Sequence, residues 1–461
     1  MPYVNNEQNY RYPLAVKFFE LILQGDLFNE CWKDHRICVE TGDPFIYPSQ
    51  LPFILLVGSS FNLFGNTDDP TLSYENLTAA RLVSPILGAF IVVFVFYIGK
   101  LLFNKFLGIT FALFVLFHGL TIFYSRLIML EIFSNFFLVF SFLLFIKAIS
   151  PEKINLRILS FSALVCSLGL ITKFYEVVAL LPIFIILIIF RNDFRKKIDK
   201  QLIKNRFFTN SLPISLLFCV IVVSVFFIPQ PFFWDQPIEQ LNVLRDSTST
   251  YGAFKPPFSN EVQLHYNIGG IFSATIVPVA DLYFYNFSDF VPNFGGTGKT
   301  VISNFSTIPL TALFIIGIGF LAVDLRKKNF EFSKLILILW YFLTFLLLTL
   351  TIDVYQYERY WIGLFIPMMF IASYGTYRLT KNLNKSITFT FLAITILTHA
   401  LSVFIFWEIL YSSPTLLLIP PFPISLQESI TIPLVYSVNI IFCIFTAGLI
   451  IKNLKKQSIS N

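Results

Sequence analysis

Charge is what this chain has least of. Asp, Glu, Lys and Arg make up 13% of its 461 residues, about half the fraction usual in a soluble domain. With 56% hydrophobic residues and a mean hydropathy of +0.73, that scarcity leaves no room for a soluble globular domain of ordinary size. Histidine and cysteine are scarce too. His35, His118, His265 and His399 show no ligand spacing, so neither a metal nor another cofactor is signalled. Cys166, Cys219 and Cys443 fall inside apolar runs, where a free thiol behaves as a small apolar group. Cys31 and Cys38 fall together in a polar segment; a disulfide can form there, but spacing does not fix one. No internal repeat or low-complexity tract is evident.

What the chain does have is apolar runs long enough to cross a bilayer, which takes about 20 residues. Eleven are read, at 78–100, 106–124, 127–149, 156–172, 174–190, 211–229, 306–324, 334–352, 359–377, 386–411 and 431–451. The expected fold is an all-α polytopic membrane protein. Charge is sorted between the connecting loops. Of the 33 Lys and Arg residues, 22 fall in alternate short loops, such as Lys100 and Lys105 or Arg378, Lys381 and Lys385. Only five acids share those loops: Glu152, Asp193, Asp199, Asp324 and Glu331. Basic short loops are retained in the cytoplasm, so this face and the C-terminus are read as cytoplasmic, in a multi-pass cell-membrane protein. The net charge of +6 is this bias showing through and says nothing for nucleic acid.

The scheme divides the chain into a first outer loop (1–77), a block of spans (78–229), a second large outer loop (230–305) and C-terminal spans (306–461). Leu51–Gly65 and Ile268–Ala280 are too short to span, and counting either would undo the charge sorting. Both are read as interfacial helices on the outer face. A long polar N-terminal segment crosses a membrane with difficulty unaided, so a further spanning helix is expected upstream of Met1. Asn76, Asn286 and Asn304 begin outward sequons.

Ionisable groups at membrane depth are costly and point to function. Arg81, Arg126 with Glu131, Lys173 with Glu176, and Glu358 with Arg359 all stand at the outer ends of spans. Glu7, Asp26, Asp43, Asp235 and Asp246 join them from the outer loops. For each taken singly, interfacial snorkelling or helix–helix pairing explains the charge as well. Together they describe a charged mouth suited to an anionic head group on a lipid tail.

Ordered motifs surround these residues. Asn6-Glu7-Gln8-Asn9-Tyr10 is followed by Gly25-Asp26, then by Tyr47-Pro48-Ser49-Gln50-Leu51 and Leu63-Phe64-Gly65. Ala79-Ala80-Arg81-Leu82-Val83-Ser84, Ser125-Arg126 with Glu131, and Leu168-Gly169-Leu170-Ile171-Thr172-Lys173 come next in order. Pro231-Phe232-Phe233-Trp234-Asp235-Gln236-Pro237 and Glu358-Arg359-Tyr360 complete the set. In order and sidedness the set resembles the membrane glycosyltransferases of the GT-C class, in the branch of protein O-mannosyltransferases and aminoarabinose transferases, with the first pair of motifs similar to the acidic opening of that class's first outer loop. The resemblance implies transfer of mannose or another hexose from a polyprenyl or dolichyl phosphate to a protein, glycan or lipid acceptor. It implies a helix upstream of Met1 as well.

Such a transfer needs a base for the acceptor proton and positive charge on the departing phosphate. Glu7 is the candidate base, with Asn6 and Asp26 beside it in the motif. Arg126, Lys173 and Arg359 are the candidate phosphate ligands. Tyr10, Arg81, Tyr47, Glu131, Asp235 and Tyr360 are expected to line the substrate site, with Glu131 orienting Arg126 or meeting the sugar. Two departures matter. Asn6 stands where the family has its leading acid, and an amide cannot accept the proton. Tyr47 and Ser49 replace the Lys and second Pro expected for an aminoarabinose transferase, which leans toward the mannosyltransferase side. Alternative readings are a transporter or flippase of lipid-linked sugar, disfavoured by the lack of repeats, and a non-catalytic relative, which Asn6 supports.

Overall fold

The computed structural model describes residues 11–32, 50–67, 73–151, 153–173, 177–195, 211–234, 237–240, 242, 284–286, 299–301, 307–326, 331–351, 362–412 and 437–452. Within them the chain is helical apart from one small antiparallel ribbon, β1 (Phe284–Asn286) against β2 (Lys299–Val301). Each of the eleven apolar stretches contains helix. Among the described residues, four helices are long and apolar enough to cross a membrane, at Glu75–Leu102, Leu130–Ile149, Ile308–Arg326 and Phe332–Thr349. Shorter apolar helices of 10–17 residues accompany them.

The described part of residues 1–77 holds more helix than the sequence suggests. α1 (Tyr12–Leu23) has no counterpart among the expected elements; Pro13 sits in its first turn, where a missing N–H costs nothing. α2 (Leu51–Phe64) coincides with the expected short helix, and it too carries a Pro in its first turn. α1 and α2 pack together, with Tyr12 edge-on to Phe61 at 5.7 Å. Arg11 donates to Gln50 at 2.8 Å across their starts. α3 (Tyr74–Arg81) is capped by the Ser73 hydroxyl, which accepts from the Asn76 N–H, and runs directly into α4 (Val83–Leu102).

The expected run 106–124 is two pieces, α5 (Lys105–Leu116) and α6 (Gly119–Tyr124). The break falls at Phe117 and His118, where the imidazole Nδ1 lies 3.3 Å from the Thr121 hydroxyl. Next come α7 (Leu130–Ile149), α8 (Leu156–Thr172), α9 (Leu180–Arg195) and α10 (Leu212–Phe227). After the ribbon follow α11 (Ile308–Arg326), α12 (Phe332–Thr351), α13 (Ile362–Thr380), α14 (Lys385–Ser412) and α15 (Ser437–Lys452).

α7 is the central post: 78% of its most apolar window is buried, against 39–44% in the other three long helices. α4 shows the opposite pattern. Ile86, Phe90, Val93, Tyr97 and Leu101 form one exposed apolar stripe at helical spacing, while Leu87, Ile91, Val95 and Ile98 are buried. An apolar stripe facing out, on a helix long enough to span, is the surface that acyl chains cover.

Lipid tails are as apolar as Leu, so close approach and hydrogen bonds hold such helices together. Both are present. A Cβ at Gly99 would lie 2.7 Å from Gly108 Cα, joining α4 to α5. Ser141 and Ser162 donate to each other's carbonyl at 3.0 and 2.8 Å, joining α7 to α8. Ser167 donates to the Val222 carbonyl at 2.8 Å, joining α8 to α10.

Candidate active site

Glu131 lies in the first turn of α7, and Lys173 is the residue that ends α8. Their side chains form an ion pair at 3.0 Å, each only 5% exposed. This pair marks one end of the bundle. Lys173 is set by its own motif. Its N–H closes the last turn on the Gly169 carbonyl, and a Cβ at Gly169 would lie 3.1 Å from both Phe137 and Val177. Glycine at 169 lets α7 come close, and the chain then leaves the helix with the ammonium beside Glu131. Buried charges persist only when paired, and these two are paired with each other.

Arg81 arrives at the same end, at the close of α3, and is buried. Two residues hold its segment against the loop that carries Arg126. Ser84 donates to the Leu127 carbonyl at 2.8 Å, and Ser125 packs where a Cβ on Gly88 would come within 2.8 Å of its own. The Ser of the 79–84 motif is thus a tie to the 125–131 motif. In the sequence Ser84 is one letter of a pattern, and nothing in its spacing announces its partner. The Arg126 side chain is exposed. α2 braces the same end through Phe53, edge-on to Phe133 at 5.0 Å, and through Ser60, which donates to the Ala79 carbonyl at 2.7 Å.

Asp26 sits in the turn after α1, which Gly25 makes at φ +73°. Its carboxylate accepts from Asn29 at 2.6 Å, and its carbonyl accepts from the Trp32 indole at 3.1 Å. The described contacts of Asp26 are those of a turn former. Cys31, in the same turn, is disulfide-bonded, while Cys166, Cys219 and Cys443 are free. Cys38 lies outside the described residues. So do Asn6, Glu7, Tyr10, Tyr47, Asp235, Arg359 and Tyr360. The structure therefore brings Arg81, Glu131 and Lys173 to one end of the bundle and gives Lys173 to Glu131. Among the described residues, no cluster of three or more His, Cys, Asp or Glu could hold a metal.

These positions fall in one stretch of sequence. Residues 59–235 match the family model of the dolichyl-phosphate-mannose-protein mannosyltransferases. Arg81, Arg126, Glu131 and Lys173 all lie inside the match; Asn6, Glu7 and Asp26 precede it. No curated protein sequence matches the chain. Among solved structures, ArnT from Cupriavidus metallidurans in the apo state is similar with a TM-score of 0.46 at 14% identity. That alignment covers 95% of this chain and 71% of ArnT. The same protein bound to undecaprenyl phosphate gives 0.44 at 12%, covering 95% and 72%. The archaeal oligosaccharyltransferase AglB from Archaeoglobus fulgidus, in complex with an inhibitory peptide and a dolichol-phosphate, gives 0.45 at 14%, covering 96% of this chain and 52% of AglB.

Proposed function

We propose that this chain is an integral membrane glycosyltransferase of the GT-C type. It moves mannose or another hexose from a polyprenyl or dolichyl phosphate to a protein, glycan or lipid acceptor on the extracytoplasmic face. The observation that carries the reading is the meeting of Arg81, Glu131 and Lys173 at one end of the bundle, inside the stretch that matches the mannosyltransferase family. In the proposed reaction the acceptor hydroxyl oxygen attacks the anomeric carbon as the bond to the phosphate oxygen breaks. The acceptor proton passes to the Glu7 carboxylate, and the lipid phosphate leaves with the electron pair, inverting the centre.

The Glu131–Lys173 contact redistributes the cationic roles. Lys173 is neutralised in place, so Arg126, exposed at the same end, and Arg359 take the first share of the phosphate; a guanidinium can do so bidentately. Lys173 reaches the phosphate only by giving up Glu131. In this reading Glu131 holds Lys173.

Purified protein in vesicles, supplied with a panel of polyprenyl-phosphate sugars, tests this. One donor should be consumed, with turnover lost in Glu7→Gln and cut by about two to four orders of magnitude, the usual share of a general base. Arg126→Ala should raise the donor KM. Turnover that survives Glu7→Gln would move the base to Asp26. Absence of turnover with every donor would overturn the transferase reading and favour the non-catalytic one that Asn6 supports.

A further inference from the structure

The lipid-facing stripe of α10 does not stop where the helix stops. Leu216, Val220 and Val223 are exposed at helical spacing, while Ser215, Phe218 and Val222 are buried. Beyond Phe227 the stripe continues into Ile228, which is 70% exposed. A 3-10 turn at Pro231–Phe233 then delivers Trp234, and Ile238 follows at 75% exposure. The Trp234 indole N–H is spent internally on the Ile228 carbonyl at 2.8 Å, which leaves an apolar ring on the surface.

That ring lies 5.5 Å from the ring of Phe28, in a segment near the start of the chain. Phe28 is 81% exposed, yet the turn that presents it is tightly built. Gly25 turns the chain, Asn29 donates to Asp26, the Cys31 N–H donates to the Asn29 side chain, and Cys31 is disulfide-bonded. Trp32 is buried edge-on against Phe18 at 4.7 Å. A rigid turn holding a bare aromatic ring beside a second one makes an apolar ridge that water does not favour.

We infer that Phe28, Trp234 and Ile238 form a membrane anchor, seated in the headgroup–acyl boundary of the leaflet at the Glu131–Lys173 end. Continuity argues for lipid as the occupant: the ridge extends the α10 face that acyl chains already cover. Aromatic side chains collect at this boundary because their flat apolar bodies suit its half-wet chemistry. The anchor fixes the turn after α1 and the turn after α10 at one depth, so the two outer segments ride on the bilayer together. The inference is independent of the transferase reading.

The test is fluorescence quenching on full-length protein in a Cys219→Ser/Cys443→Ser background. Phe28→Cys carries an environment-sensitive nitrobenzoxadiazole probe in phosphatidylcholine vesicles. Val223→Cys gives the lipid reference and Glu30→Cys, on the same turn, the aqueous one. The Phe28 probe should be quenched by headgroup-attached nitroxide lipid as strongly as the Val223 probe is by chain-attached nitroxide. Aqueous iodide should leave it nearly untouched while quenching Glu30. Ile238→Cys reads the same ridge from the other segment, so the test survives a labelling or folding failure at 28. Iodide quenching at 28 or 238 without lipid quenching would overturn the inference and mark the ridge as a surface for a soluble partner.

Discussion

At the scale of single residues, the buried Glu131–Lys173 pair sets the terms. Its two charges are 3.0 Å apart and almost wholly withdrawn from solvent. Removing one partner of such a buried pair costs about 3–5 kcal/mol. Removing both takes away both charges. Glu131→Ala should therefore lower the unfolding midpoint sharply, while Glu131→Gln with Lys173→Met should recover most of it. A double-mutant cycle on thermal unfolding in detergent reads the coupling. Equal losses in the single and double variants would refute the pairing as a source of stability. Transfer activity should persist in the recovered variant once it is folded, because Arg126 and Arg359 are still there to meet the phosphate. Asn76 carries a second residue-scale expectation. Its side chain is 1% exposed and accepts from the Asn66 N–H at 2.8 Å. The sequon it begins should stay unmodified, seen as no mass shift at that peptide under glycosylating expression.

At the scale of elements, α11 and α13 meet through two glycines. A Cβ on Gly317 would fall 2.3 Å from the Ile371 carbonyl oxygen, and one on Gly375 would fall 2.3 Å from the Leu313 carbonyl oxygen. Backbone cannot yield as a flexible side chain can. Gly319, two residues along, has nothing within 4 Å of its Cβ position. Gly317→Ala should cost about 1–3 kcal/mol by overpacking, and Gly319→Ala should be neutral or mildly stabilising through helix propensity. Equal midpoints for the two variants would argue against this contact. The spans themselves are legible in the sequence, because a run of apolar residues near 20 has few alternatives in lipid. α1 is not legible there: it is short, amphipathic and interrupted by Lys17 and Glu20, and its helix exists because α2 covers one face. The α5–α6 break is hidden for the opposite reason, since it falls inside one continuous apolar run and hydropathy does not register it. At the site, charge position alone foretells that Arg81, Glu131 and Lys173 share one end. It cannot foretell that Glu131 takes Lys173, 42 residues away.

At the scale of the whole molecule, the end opposite the Glu131–Lys173 pair is closed by another carboxylate. Asp324, on α11, accepts from the Tyr374 hydroxyl at 2.6 Å and pairs with Lys334 at 3.1 Å and with Arg378. One acid thereby ties α11, α12 and α13 together, and Arg378 stacks 5.0 Å from the Phe320 ring. Asp324→Asn should lower stability by about 3–5 kcal/mol while leaving the donor KM of the folded fraction unchanged, since the site is at the far end. The two ends also differ in charge. The far end holds Lys105, Lys153, Lys334 and Lys385, all members of the basic set of loops. If retention of basic loops sets the orientation, Glu30 faces the exterior and Lys385 the cytoplasm. In intact cells a membrane-impermeant maleimide should label Glu30→Cys at once, and should label Lys385→Cys only after permeabilisation. The reverse order would invert the molecule, putting the Glu131–Lys173 end and any sugar transfer on the cytoplasmic side.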